Sequence, residues 1–276
     1  MIIYDINQRE QVFKPVTLFY INDHLIFAHM NNQLPHIETG RPARPGQLIL
    51  ERRYRIFRDY LAMLQPDSTL IDIGCGNGAQ SEFFIPHCEM VVGCDLVHLK
   101  ETENPLDRKN FSFIQGSALE LPFESNSVEM VTAFEVLEHV PSENLALDEI
   151  YRVLKPNGLF LITVPNKWWI FETHGAVVPG LNWVPWNRVP LVSWLPEQIH
   201  DNLARARIYT ARNLKKKITD HQFEVLRTGY VTAPMDVLPD GVLRRFLRSN
   251  VFKGDHTDNP FLSVNLFAIA QKTSRV

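Results

Sequence analysis

Apolar positions along this chain change their period several times, and each change predicts an element. In QLILERRYRIFRDYLAMLQP, which starts at residue 47, Leu48, Ile49, Ile56, Tyr60, Leu61 and Leu64 gather near one face of a helical projection. Arg52, Arg53, Arg55 and Arg58 fall largely elsewhere, so the spacing predicts an amphipathic helix of about 17 residues that ends at Pro66, with its arginines as a solvated face. From Leu70 the pattern alternates. Short apolar runs at 70–73, 90–95, 111–115, 128–134 and 159–164 read as strands, with helices expected at about 79–86 and about 143–154, the second capped by Ser142 and stopped by KPNG. A helix near 210–220, a strand near 223–230 and a last strand near 262–270 complete the series. Apolar strands separated by helices imply a parallel sheet buried on both faces, hence a doubly wound α/β fold.

The rhythm breaks after residue 166. The stretch PNKWWIFETHGAVVPGLNWVPWNRVPLVSWLP carries every tryptophan of the chain, at 168, 169, 183, 186 and 194, and prolines at 165, 179, 185, 190 and 196. It cannot form one regular element. Ahead of the first helix, residues 1–46 are mixed and end in the stiff, polar ETGRPARPG, which reads as a loop. Four segments are therefore expected: an N-terminal extension at 1–46, a ligand-binding core at 47–166, an aromatic and proline-rich insertion at 167–208, and the C-terminal part of the core sheet at 209–276.

Composition narrows the partners. With 276 residues, 45% of them apolar, the chain can bury an ordinary core, and a formal net charge of −3 gives no sign of a broad phosphate-binding face. No nucleic-acid partner is expected. Cysteines stand only at 75, 88 and 94, and MIIYDINQRE lacks the basic and apolar regions of a secretion signal, so a reduced, cytoplasmic protein is expected. No apolar run is long enough to suggest a membrane-spanning helix, which leaves interfacial contact open.

LIDIGCGNGA at 70–79 fits two nucleotide-binding patterns, G-x-G-x-G and G-x-G-x-x-G/A with Ala79 in the last place. The charges around it discriminate. Asp72 ends the first strand two residues before Gly74, where a pyrophosphate would meet its charge at short range and an amino-acid ammonium would be attracted. This favours S-adenosylmethionine over NAD. Asp95 ends the second strand about 20 residues beyond the turn, where an acid accepts ribose hydroxyls, as it also does in NAD sites. After the third strand, QGSALELPF sets Gly116, Ser117, Ala118 and Leu119 to flank an adenine at the carboxyl edge of the sheet. Cys75 reads as a small turn residue, because no base lies beside it in sequence.

Together with VLKPNGLFLI, these motifs resemble the class I S-adenosylmethionine-dependent methyltransferases, especially the group with a D-x-G-C-G-x-G turn and an E-H-V segment. The resemblance is specific over roughly 47–166 and loose over 205–271. It implies a Rossmann-like, mostly parallel seven-stranded sheet with an antiparallel last strand, and S-adenosylmethionine as cofactor. The implied cofactor contacts are Asp72, Gly74, Cys75 and Gly76 at the methionine half, Asp95 and Leu96 at the ribose, Ser117, Ala118 and Leu119 at the adenine, and Phe134 in the pocket wall. Where the family commonly has an Asp beside adenine this chain has Ser117, so that contact is expected to pass to the backbone.

Chemistry on the acceptor side rests on AFEVLEHVP. Glu135, Glu138 and His139 have the spacing E-x-x-E-H, which on a helical turn brings all three to one side. Three readings stay open. The set suits a divalent cation, with His174 or His200 as a further ligand, as in some quinone-precursor and small-RNA O-methyltransferases that this segment resembles. It equally suits His139 as general base on a hydroxyl, or Glu135 as a cofactor-site residue beside a packing His139. The catalytic candidates are His139, Glu135 and His174, and no metal is assigned. FETH at 171–174 places a carboxylate and an imidazole among aromatics, so the insertion is expected to wall the acceptor pocket, or else to form a packed subdomain or dimer contact. Its aromatics, with Arg188, Arg205 and Arg207, also suit peripheral membrane contact. The expectation is methyl transfer to a small-molecule or lipid-like acceptor, oxygen favoured. The alternatives are an NAD(P)-dependent oxidoreductase and a non-catalytic cofactor-binding protein of the same fold.

Overall fold

The computed structural model describes residues 46–97, 109–178, 180, 181, 184, 186 and 189–274. The expected N-terminal extension, Trp183 and Arg188 lie outside these residues. Helix α1 (Gln47–Leu61) buries Ile49, Leu50, Ile56, Phe57 and Leu61. Phe57 stacks on Phe134 with ring centroids 5.1 Å apart and meets Phe267 edge-on at 5.8 Å, which ties the helix to the sheet. Its arginines do not form one solvated face. Arg52 and Arg53 are only 4% and 5% exposed, whereas Arg55 pairs with Glu51 and Asp255 at the surface. Arg52 is drawn inward by carbonyls at a strand end: its guanidinium donates to Thr232 O and Ala233 O at 2.8 Å and to Phe252 O at 2.7 Å.

The sheet contains β1 (Thr69–Ile73), β2 (Met90–Asp95), β3 (Phe111–Gln115), β4 (Val128–Phe134), β5 (Leu154–Pro165), β6 (Phe223–Thr232), β7 (His256–Thr257) and β8 (Ser263–Lys272). Their order is β3-β2-β1-β4-β5-β8-β6-β7, eight strands rather than the expected seven, the extra one being the two-residue edge strand β7. Strands β1 to β5 run parallel, and β8 enters antiparallel between β5 and β6. Neighbouring residues divide between the two faces, as the strand period of two requires: Leu70, Met130, Leu161 and Ile269 pack on the α1 side, and Ile71, Val131, Phe160 and Ala268 on the other. The strand order reverses at β1, between β2 and β4, where an open α/β sheet leaves a crevice at its carboxyl edge.

Helix α2 (Glu143–Val153) starts as expected, with Ser142 Oγ accepting from the Leu145 N–H at 3.3 Å, and α4 (Ala211–Asp220) is capped by Thr210 in the same way. Between them lies α3 (Glu197–Leu203), and after β6 comes α5 (Val242–Asn250); neither they nor β7 is foreseen in the sequence pattern. The helix expected at about 79–86 is instead two short 3-10 turns, Ser81–Phe83 and Ile85–His87. Pro86 lacks the N–H that a continuing α-helix would use. Strand β5 also begins five residues earlier than expected, and its register against β4 shifts near Asn157, which holds a left-handed φ of 66°.

Candidate active site

A cavity of about 500 Å³ opens at the carboxyl edge of β1, β2 and β4. The glycine turn forms its floor. Gly74 sits at φ 67°, and a Cβ there would lie 2.4 Å from Val136 Cγ2, so only glycine lets the turn approach so closely. All ten residues expected to hold the cofactor, from Asp72 to Phe134, line this cavity.

Two acids are fixed by different partners. Asp72 is 2% exposed and accepts hydrogen bonds from Ser81 Oγ at 2.5 Å and Thr132 Oγ1 at 2.6 Å. Burial pushes its carboxyl up to about 6, against the pull of the two hydroxyls. Asp95 instead organises the turn: Oδ2 accepts from the Gly76 N–H at 2.9 Å and Oδ1 from the Val97 N–H at 3.2 Å. Four lone pairs per carboxylate leave Asp95 acceptor capacity beyond those two bonds. At the third strand end, Ser117 Oγ accepts from the Leu119 N–H at 3.2 Å and holds the 116–119 loop against the cavity. Burial, first of all, pushes the Cys75 thiol far up, so this cysteine lines the site as a neutral group.

The acceptor-side residues sit differently from the helical expectation. Residues 135–141 form a turn, not a helix, and Glu135 has a left-handed φ of 60°. Its carboxylate accepts from Asn265 at 2.8 Å and Thr163 at 3.2 Å, while pairing with Arg53 at 3.3 Å. The cluster that can hold a cation is Glu138, His139 and His174, whose ligand atoms lie within 4.8 Å of one another. Glu138 is fully buried, its Oε1 is 3.8 Å from His174 Nε2 and 4.0 Å from His139 Nε2, and its carboxylate accepts no hydrogen bond from another of the described residues. Burial, reinforced by the charge of Glu135, raises its carboxyl well above the usual range, whereas burial lowers the His174 imidazole. His200 is not in this group; fully buried, it shares a 2.7 Å hydrogen bond with Glu172, whose other oxygen accepts from the His174 N–H at 3.2 Å. Arg207 braces the turn from the other side, donating to Val140 O at 2.6 Å, so it is turned inward and is not available as a membrane-facing cation.

Among the lining residues that escape sequence reasoning are Arg53, Asp236 and Asn265. Arg53 lies over the Phe134 ring at 5.7 Å and pairs with Glu135, whose spacing along the chain gives no hint of the contact.

Residues 71–162 match the family model described as a methyltransferase domain. The segment is a class I S-adenosylmethionine-dependent methyltransferase domain. This methyltransferase domain is similar to the sterol 24-C-methyltransferase of Schizosaccharomyces pombe, at 27% identity over 146 residues, covering 49% of this chain and 37% of the yeast one. It is likewise similar to a ubiquinone biosynthesis O-methyltransferase of Bartonella tribocorum, 26% identical over 149 residues, 52% of this chain and 57% of that one. The chain thus spans 37% and 57% of the length of these two relatives. The fold matches that of a S-adenosylmethionine-dependent methyltransferase from Mesorhizobium loti with a TM-score of 0.54 at 14% identity, covering 80% of this chain and 99% of the other.

S-adenosylmethionine is the cofactor of the methyltransferase domain family, and the residues present fit it. The Gly74 turn packs so closely on Val136 that a Cβ would not fit, the buried Asp72 carboxylate lines the same cavity for an ammonium, and Asp95 has spare acceptor capacity. Asp95→Ala is expected to weaken S-adenosylmethionine binding by about 1–3 kcal/mol, through lost charged hydrogen bonds and a looser turn. Calorimetric titration checks it, and unchanged affinity would remove Asp95 from the site.

Proposed function

We propose that this chain transfers a methyl group from S-adenosylmethionine to a hydroxyl oxygen of a small-molecule or lipid-like acceptor. The observation that carries this reading is the pair of imidazoles, His139 and His174, lining the cofactor cavity with a buried carboxylate between them. When bound, the cofactor supplies a methyl already activated on a sulfonium, so the protein needs chiefly to align the partners and exclude water. Asp72 and the Gly74 turn hold the amino-acid end, and Asp95 the ribose. Phe134, packed on Phe57, gives the wall a rigid apolar surface. The lowered His174 imidazole is neutral at pH 7 and can accept a proton, and His139 beside it, with ring centroids 4.7 Å apart, acts as general base on the acceptor hydroxyl. Glu135 acts through structure: bonded to Arg53, Thr163 and Asn265, it fixes the turn that presents His139. The insertion at 167–208 serves as a lid, since Thr173 and His174 reach the cavity from it. Both relatives' names support a small or lipid-like acceptor, and the ubiquinone enzyme's name an oxygen.

A second reading is favoured by Glu138, whose desolvated carboxylate accepts no bond from another of the described residues. A divalent cation held by Glu138, His139 and His174 would satisfy it and would bind an acceptor hydroxyl in its ionised form. One assay tests both. Protein incubated with methyl-labelled S-adenosylmethionine and a fractionated small-molecule and lipid extract is expected to yield a labelled, oxygen-methylated product. Loss of transfer on chelation, restored by added Mg²⁺ or Mn²⁺, assigns the cation; chelator-resistant transfer assigns His139 alone. Tight cofactor binding without transfer to any fraction would contradict methyl transfer.

A further inference from the structure

We propose that a second, apolar slot beside the methyl-transfer cavity takes a single hydrocarbon chain, the tail of a lipid-like acceptor. The inference rests on the acceptor reading above and adds the subsite that holds the tail. The slot has a volume of about 400 Å³. Its floor is buried: Trp169 is 5% exposed, and Met235 and Phe252 are each 8% exposed. Its lip is open, with Trp168, Trp194 and Phe261 at 37%, 40% and 50% exposure and ring centroids 5.6–6.5 Å apart. Among the described residues, no ionisable side chain lines it.

Chemistry selects the occupant. A polar ligand entering such a slot would shed water and find no replacement hydrogen bonds, whereas a hydrocarbon gains by covering apolar surface on every side. A slot with a closed floor suits a narrow chain rather than a broad protein surface. Its walls also reach the first cavity. Met235 lies in the slot while its neighbours Pro234 and Asp236 line the cofactor cavity, the chain making this switch at Met235 with a left-handed φ of 58°. From the opposite wall, Phe171 leads in two residues to Thr173 and His174. The loop 234–236 after β6 and the segment 171–174 thus each contribute residues to both the slot and the cavity that holds the proposed base.

Bromine quenches tryptophan fluorescence on contact, and Trp168, Trp169 and Trp194 all line the slot. Titration of the full chain with 12-bromododecan-1-ol, below its aggregation concentration, is expected to quench saturably. The lip variant Phe261→Asp, at a half-exposed position, is expected to bind the probe at least tenfold more weakly while binding S-adenosylhomocysteine normally. Equal quenching in wild type and variant, or none that saturates, would overturn the subsite while leaving methyl transfer untouched. Quenching by vesicles of phosphatidylcholine with brominated acyl chains, in the absence of quenching by the free alcohol, would assign the slot to a bilayer lipid and overturn the acceptor tail.

Discussion

His139→Ala is expected to lower turnover by about 10²–10⁴-fold, the usual contribution of a positioned general base, while S-adenosylmethionine affinity stays within about a factor of two. The separation follows from where His139 sits. Nine of the cofactor's ten proposed contacts come from the ends of β1, β2 and β3, Phe134 alone from β4, and His139 hangs from a turn after β4 that Arg207 and Glu135 brace independently. Removing the imidazole leaves those braces intact, because the Arg207 bond goes to Val140 O. Single-turnover kinetics with calorimetry on the same preparation check the result. An equal loss in binding and turnover would make His139 a structural residue. His174→Ala is the natural companion, and its backbone anchor to Glu172 survives the change.

Asp72→Asn is expected to move binding and stability in opposite directions. Loss of the charge should weaken S-adenosylmethionine binding by about tenfold to a hundredfold, since the amide keeps the shape but no longer attracts an ammonium. Stability should rise. The folded carboxyl lies at about 6 against an ordinary 3.8, so the folded state holds the proton more tightly than the unfolded one. The stability this confers is complete below 3.8 and is lost as pH rises through about 6. At pH 7.5 the buried, ionised carboxylate therefore costs the fold about 3 kcal/mol. An asparagine relieves most of that, and Ser81 and Thr132, whose hydroxyls rotate, can still bond it. Denaturant unfolding at pH 7.5 should show a gain of about 1–3 kcal/mol that shrinks towards pH 4. A loss at pH 7.5 would mean that the two hydroxyl bonds outweigh desolvation.

The strand ends were legible because their signals are local. Asp72, Gly74, Asp95 and Ser117 each follow an apolar run, and a parallel sheet delivers all such ends to one edge. What was not legible depended on partners far along the chain. Nothing in an amphipathic stripe tells that Arg52 reaches carbonyls at Thr232 and Phe252, or that Arg53 meets Glu135. The E-x-x-E-H spacing misled about Glu135 for a backbone reason: its left-handed φ turns it to Asn265, and His174, 35 positions beyond His139 in number, completes the cluster instead. Helix α5 was missed because Val242, Leu243 and Phe246 face outward and only Leu247 packs on the buried Trp169 cluster, so most of its apolar residues mark no contact with the core.

The central claim is that the cavity above the Gly74 turn accepts a cationic methyl donor and disfavours a diphosphate. Parallel calorimetric titration of the wild-type chain with S-adenosylmethionine and NAD tests it most directly. The account predicts saturable one-to-one binding of the sulfonium compound and no heat of binding from NAD at millimolar concentration. Saturable NAD binding with none of S-adenosylmethionine would contradict it.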